Sequence, residues 1–139
     1  AQDRGDTRTA SIGALFRDWG IATPISVVEA RLAAPDLPIT ATGGVRSGLD
    51  AARALALGAT LIGMGFPFLK AASESEDAVR AFLDQFLAEL RVAMQLTGAA
   101  TIADLRTRPV VVTGATRDWL DLRGFGDELR AMARRAMQP

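Results

Sequence analysis

Histidine, cysteine and tyrosine are absent from this chain. Without His or Cys, no Ser–His or Cys–His nucleophile pair can form within it. Metals held by nitrogen and sulfur, zinc above all, also lose their ligands. Acid–base work falls to Asp, Glu or the single lysine, Lys70. Mg²⁺ with oxygen ligands stays open chemically, although no clustered carboxylates converge on a site. The lack of cysteine suits a reducing cytoplasm. An excess of one charge is missing too. The 16 basic and 16 acidic residues cancel, which gives no electrostatic case for a nucleic-acid partner. No apolar run approaches the ~20 residues that span a bilayer, so no membrane partner is expected. The first residues, Ala1-Gln-Asp-Arg-Gly-Asp, have neither the charged nor the apolar region of a signal peptide. These absences together predict a cytoplasmic protein.

What is present is concentrated in residues 40–70. A buried strand over Leu37–Thr42 runs into Gly43-Gly44. An alanine-rich helix follows over Ser47–Leu57, with Leu49, Ala52, Leu55 and Ala56 on one stripe and Gly58 as its C-cap. A second buried strand, Thr60–Met64, leads to Gly65 and a short helix over Phe66–Ala72, with Pro67 in its first turn. Strands apolar on both faces suit a parallel sheet covered by helices. A glycine at each strand exit, beside helix N-termini, brings backbone N–H groups close to a bound phosphate. In (β/α)8 barrels that site is often built from the loops after strands 7 and 8. The 139 residues leave room for one domain with a core, well short of the ~250 of a whole barrel.

Around this unit the pattern is mostly helical. Ala1–Ala10 reads as loop and Ser11–Arg17 as one or two helical turns. Thr23 and Pro24 read as N-cap and first turn of a helix over Ile25–Ala33. Ser73 and Glu76 have capping-box spacing and open a long helix ending at Gly98. Its stripe of Val79, Phe82, Leu83, Phe86, Leu87, Leu90 and Met94 reads as core or subunit interface. Thr101–Arg106 is a capped helix, Arg108–Thr113 is extended, and Thr116–Leu122 and Asp127–Met137 are helices. Residues 1–72 read as a partial barrel and 73–139 as a mainly helical C-terminal extension of the same domain. Trp19 reads as a packing anchor, Lys70 and Arg46 as surface charges, and Arg130, Arg134 and Arg135 as one solvated face.

Several stretches together resemble the C-terminal half of the type 2 isopentenyl diphosphate isomerases, FMN-dependent barrel enzymes. They are Asp18-Trp-Gly-Ile-Ala-Thr-Pro, Ala41-Thr-Gly-Gly-Val-Arg-Ser-Gly-Leu-Asp, Ala54-Leu-Ala-Leu-Gly-Ala, Gly63-Met-Gly-Phe-Pro-Phe-Leu, Glu89-Leu-Arg-Val-Ala-Met-Gln-Leu-Thr-Gly and Pro109-Val-Val-Val-Thr-Gly. The resemblance implies interconversion of isopentenyl and dimethylallyl diphosphate with reduced FMN, with Mg²⁺ on the substrate diphosphate and NADPH reducing the flavin. It implies an α/β fold, the C-terminal part of a (β/α)8 TIM barrel, with Leu37–Thr42 as strand 7 and Thr60–Met64 as strand 8. Gly43, Gly44 and Val45 would offer N–H groups to the FMN phosphate, Met64 and Gly65 would approach from the next loop, and Thr7 would take the place of a flavin-contacting Thr. Gln2, Asp3, Asp6 and Phe66 depart from the family's loops. The family's Mg²⁺-binding Glu, catalytic Gln and flavin-binding Lys have no counterpart, so no catalytic or metal-binding residue is assigned and the chain alone is expected to be inactive. The expected partners are an isoprenoid diphosphate and a second copy or complementary half-barrel. The alternative is a non-catalytic homologue that binds flavin or phosphate, or only self-associates.

Overall fold

The chain runs α1 (Asp3–Leu15), α2 (Thr23–Ala33), β1 (Thr40–Thr42), α3 (Gly48–Ala56), β2 (Leu61–Gly63), α4 (Phe66–Glu74), α5 (Glu76–Leu96), α6 (Ile102–Thr107), α7 (Gly114–Leu122) and α8 (Gly126–Ala133). This computed structural model describes residues 3–16 and 18–135, with residues 3–8 described by backbone alone. The two strands pair in parallel, Thr40 with Leu61, Ala41 with Ile62 and Thr42 with Gly63, and α3 makes the crossover. The architecture is α/β, mostly helical, around a small parallel sheet. No helix is long and apolar enough to cross a membrane among the described residues.

Ile62 packs against two apolar clusters. One joins Ile25, Val27 and Val28 of α2 to Ala41, Ala54, Leu120, Leu129 and Met132. The other joins Ala52 and Leu55 of α3 to Ala99 and Leu105, with Leu90, Ala93 and Met94 of α5 packed against it. The last two helices thus share a core with α2 and β1.

Several local readings change. Residues 3–10 are helical rather than loop; Asp3 and Asp6 lie near the helix start, where negative charge is favoured. The strands are shorter than expected, and Pro38 before β1 has no N–H to give a ladder. Ala22, not Thr23, occupies the cap position of α2. Ser75 rather than Ser73 caps α5: α4 continues through Glu74, and the Ser75 hydroxyl accepts the Ala78 N–H at 3.0 Å. Ser73 instead donates to Lys70 O. The α5 stripe is only half-buried, and no residue of that helix is fully buried. Trp19 is 82% exposed and meets the Phe16 ring edge-on; it anchors no core among the described residues. Leu49 is exposed although it lies on the expected α3 stripe.

Arginines tie the end of the sheet opposite the glycine loops. Arg31 donates from Nε and Nη2 to Gly58 O (3.0 and 2.6 Å) and from Nη1 to Pro35 O (2.6 Å). Arg106 reaches Ala59 O and Thr60 O. Arg135 is half-buried, not solvated as expected, and donates to Ala56 O and Arg106 O; burial pushes its pKa down. Two of the three meet carbonyls at or just beyond the C-terminus of α3, where cations complement the helix dipole. Hydrogen bonds from charged donors contribute about 1.5–3 kcal/mol each. Arg31→Ala is expected to lower stability by about 2 kcal/mol, read as a lower urea midpoint at unchanged slope.

The capped helix expected over Thr101–Arg106 is α6, and its cap is a full capping box. Thr101 Oγ1 accepts the Asp104 N–H, and Asp104 accepts the Thr101 N–H at 2.8 Å. The Thr101 side chain first, then its N–H, holds the Asp104 carboxyl below its ordinary pKa. A lowered folded-state value adds stability that is present above the ordinary carboxylate range and lost as the pH falls through the folded value. Asp104→Asn should therefore be less stable than the parent at neutral pH. The gap should narrow as the pH falls through the folded-state value of Asp104, as checked by urea midpoints at neutral and at acidic pH.

Candidate functional site

Thr42 and Gly63 form the last pair of the ladder, so the Gly43-Gly44 and Met64-Gly65 loops leave the same end on neighbouring strands, roughly 4.8 Å apart at their roots. Gly43 and Gly44 have φ of 92° and 76°, left-handed values that side chains rarely adopt. Gly65 precedes α4, whose first ladder bond runs from Leu69 N to Gly65 O. The Phe66 and Phe68 N–H groups lie ahead of that ladder, at the positive end of the helix.

The first loop is fastened at both ends. At its start, the Thr23 hydroxyl lies 3.1 Å from Thr42 O and 2.7 Å from Gly43 O, donating to these carbonyls. At its end, Asp50 Oδ2 accepts the Arg46 N–H and the Ser47 hydroxyl, while Ser47 Oγ accepts the Asp50 N–H. Glu89 Oε2, from α5, accepts the Gly48 N–H at 2.8 Å. The Glu89 carboxyl is held below its ordinary pKa, first by Gln85 and then by this N–H. Between the fastenings, the Val45 side chain is buried, and the Gly44 and Val45 N–H groups have no acceptor among the described residues. A Cβ on Gly44 would meet nothing within 4 Å among the described residues, so the turn faces open space there. The Arg46 side chain is exposed and makes no hydrogen bond or ion pair among the described residues.

Consecutive unpaired N–H groups in a glycine turn, a second glycine loop alongside and an unpaired guanidinium fit an anion the size of a phosphate. Among the described residues no group of carboxylates is placed to hold a metal ion. A groove of about 290 Å³ between α2 and β1 borders Thr23 and Thr42 and reaches the root of the first loop.

Five of the expected site residues, Gly43, Gly44, Val45, Met64 and Gly65, thus come to one end of the sheet. Thr7 has helical backbone in α1, and its side chain lies outside the described residues, as does Gln2. Lys70 is exposed on α4. Two residues that shape the loop, Thr23 and Glu89, escape sequence reasoning. The Thr-Pro pair reads as a helix cap, and Glu89 has no local feature to set it apart from a surface acid.

Comparison with known proteins follows the same residues. The family model of FMN-dependent dehydrogenases matches residues 10–112. Isopentenyl-diphosphate delta-isomerase of Methanothermobacter thermautotrophicus is 45% identical over 125 residues, 90% of this chain and 35% of that protein. The protein of the same name from Methanosarcina barkeri is 44% identical over 133 residues, 96% of this chain and 36% of its own length. That of Sulfurisphaera tokodaii is 47% identical over 111 residues, 80% of this chain and 30% of its own. The chain therefore spans about a third of the length of these curated relatives.

Proposed function

We propose, from the premise that this chain belongs to the FMN-dependent dehydrogenase family, that it is the FMN-phosphate-gripping portion of an isopentenyl-diphosphate isomerase. The observation that carries this reading is the pair of unpaired N–H groups on Gly44 and Val45, fixed in a glycine turn beside the Met64-Gly65 loop. The relatives' shared name supports the isomerase half of it. The strands β1 and β2 are barrel strands 7 and 8 in this reading, and the glycine loops lie at the C-terminal face where such barrels bind phosphate.

The cofactor supplies the reactive flavin ring, at which isopentenyl and dimethylallyl diphosphate are interconverted. The chain's own residues hold and orient. Gly44 and Val45 donate to the phosphate, Arg46 adds a positive charge, and the Phe66 end of α4 adds the field of a helix start. We assign neither Mg²⁺ nor NADPH to residues of this chain. Thr40, Thr42 and Leu61 are exposed on the sheet, on the face a complete barrel turns inward. In this reading the remainder of a barrel covers that face; by itself the chain pairs with another copy or a complementary half-barrel, and its mass in solution should exceed that of a monomer.

Titration with FMN against riboflavin, which lacks the phosphate, tests the reading directly. FMN is expected to bind at least about tenfold more tightly, equivalent to ~1.4 kcal/mol. Equal affinity for the two would remove the phosphate grip, and no binding of either would remove the flavin.

A further inference from the structure

The stretch from Glu89 to Gly98 marks the family resemblance, yet nothing in the cofactor reading uses it. Its first residue touches the site's own helix. A helix N-terminus ordinarily receives anions, and at that of α3 the Gly48 and Asp50 N–H groups are already supplied from within. Glu89 Oε2 takes the Gly48 N–H, and Asp50 takes the Arg46 N–H. The other Glu89 oxygen accepts from Gln85 Nε2 at 2.9 Å, which fixes the carboxylate's orientation.

Gly48 also lies directly against Phe86 and Leu90 of α5. Phe86, Glu89 and Leu90 share one helical face, so the close approach of the helices sets where the carboxylate arrives. With Thr23 pinning the loop's start, Glu89 and Asp50 pin its end.

We propose that Glu89 is a positioning residue for the anion loop: by holding the Gly48 N–H it fixes the start of α3, and with it the turn in which Gly44 and Val45 are the amides that meet the phosphate. This inference rests on the FMN-phosphate reading above. Its physical content is preorganisation, since a loop already fixed in its binding geometry loses less freedom when the ligand arrives. The charge itself works against a phosphate through space, so the hydrogen bond, not the charge, is the useful part. Glutamine at this position keeps a carbonyl oxygen for the Gly48 N–H.

The test compares the wild-type chain, Glu89→Gln and Glu89→Ala by FMN and riboflavin titration, with amide hydrogen exchange over residues 43–48 measured without ligand. Glu89→Ala should weaken FMN about tenfold or more, equivalent to ~1.4 kcal/mol, and change riboflavin less than about twofold. Exchange across the loop should quicken. Glu89→Gln should recover FMN affinity to within about threefold. If Glu89→Ala does not fold, Glu89→Asp withdraws the carboxylate by one methylene and should show the same FMN-selective loss. Wild-type FMN affinity in Glu89→Ala or Glu89→Asp, equal losses of FMN and riboflavin in them, or unchanged exchange would each overturn the role of Glu89. A wild-type chain with no preference for FMN would instead bring down the phosphate reading, and the role built on it with it.

Discussion

Replacing Gly48 by alanine is expected to destabilise the chain by roughly 2 kcal/mol. A Cβ there would fall within 3 Å of the Phe86 carbonyl and the Leu90 N, backbone atoms of α5, and 2.7 Å from Glu89 Cβ. Backbone cannot swing aside as a side-chain tip can, so α3 and α5 must separate. That opens the cluster in which Ala52 and Leu55 meet Leu90, Ala93 and Met94. Helix propensity favours Ala over Gly by about 1 kcal/mol. Overpacking a tight contact costs about 1–3 kcal/mol and occasionally more, and two backbone obstructions place this site at the upper end. A net loss of roughly 2 kcal/mol is a sizeable part of the ~5–15 kcal/mol of a typical domain. Gly13, where a Cβ would meet nothing within 4 Å, is the matched control: Gly13→Ala should be neutral or slightly stabilising. Circular dichroism and urea unfolding of the two variants decide the matter. A Gly48→Ala protein as stable as its parent would show that the α3–α5 approach is not as close as described.

That glycine also shows where sequence reading stops. Ser47-Gly-Leu-Asp announces a helix start, and Ser47 caps α3 as its type suggests. The glycine loops and the capped start of α6 were readable for the same reason: each depends on a few neighbouring residues. The need for glycine at position 48 comes from a helix forty residues further on, and nothing local encodes it. Thr23 is a related case. Its hydroxyl had a cap position to fill by pattern, but the end of β1 offered two carbonyls. Arg135 read as one of three exposed basic residues, and only the fold brings Ala56 O and Arg106 O within its reach. The α5 stripe was legible as apolar, but its burial is set by how much neighbouring structure covers it.

Introducing aspartate at Gly44 is expected to weaken FMN binding roughly a hundredfold while sparing the fold. Space is not the obstacle, because a side chain at this position meets nothing nearby. The φ of 76° is one that aspartate tolerates better than most residues, so the folding cost should stay near 1 kcal/mol. What changes is charge and access. A carboxylate would stand at the turn whose N–H groups face the phosphate. Like charges about 4 Å apart repel by ~1 kcal/mol in water and ~4 kcal/mol at the effective dielectric of a protein surface. A middle value predicts roughly a hundredfold loss of FMN affinity, equivalent to about 2.7 kcal/mol. Riboflavin binding should barely move. Gly44→Ala isolates the backbone term and should lose less than Gly44→Asp, because it carries the strain without the charge. Loss of both flavins in Gly44→Asp, with its thermal melt unchanged, would mean that the turn contacts the ring rather than the phosphate. Full retention of FMN would place the anion elsewhere, and the α4 start beside Gly65 would then be the remaining donor at this end of the sheet.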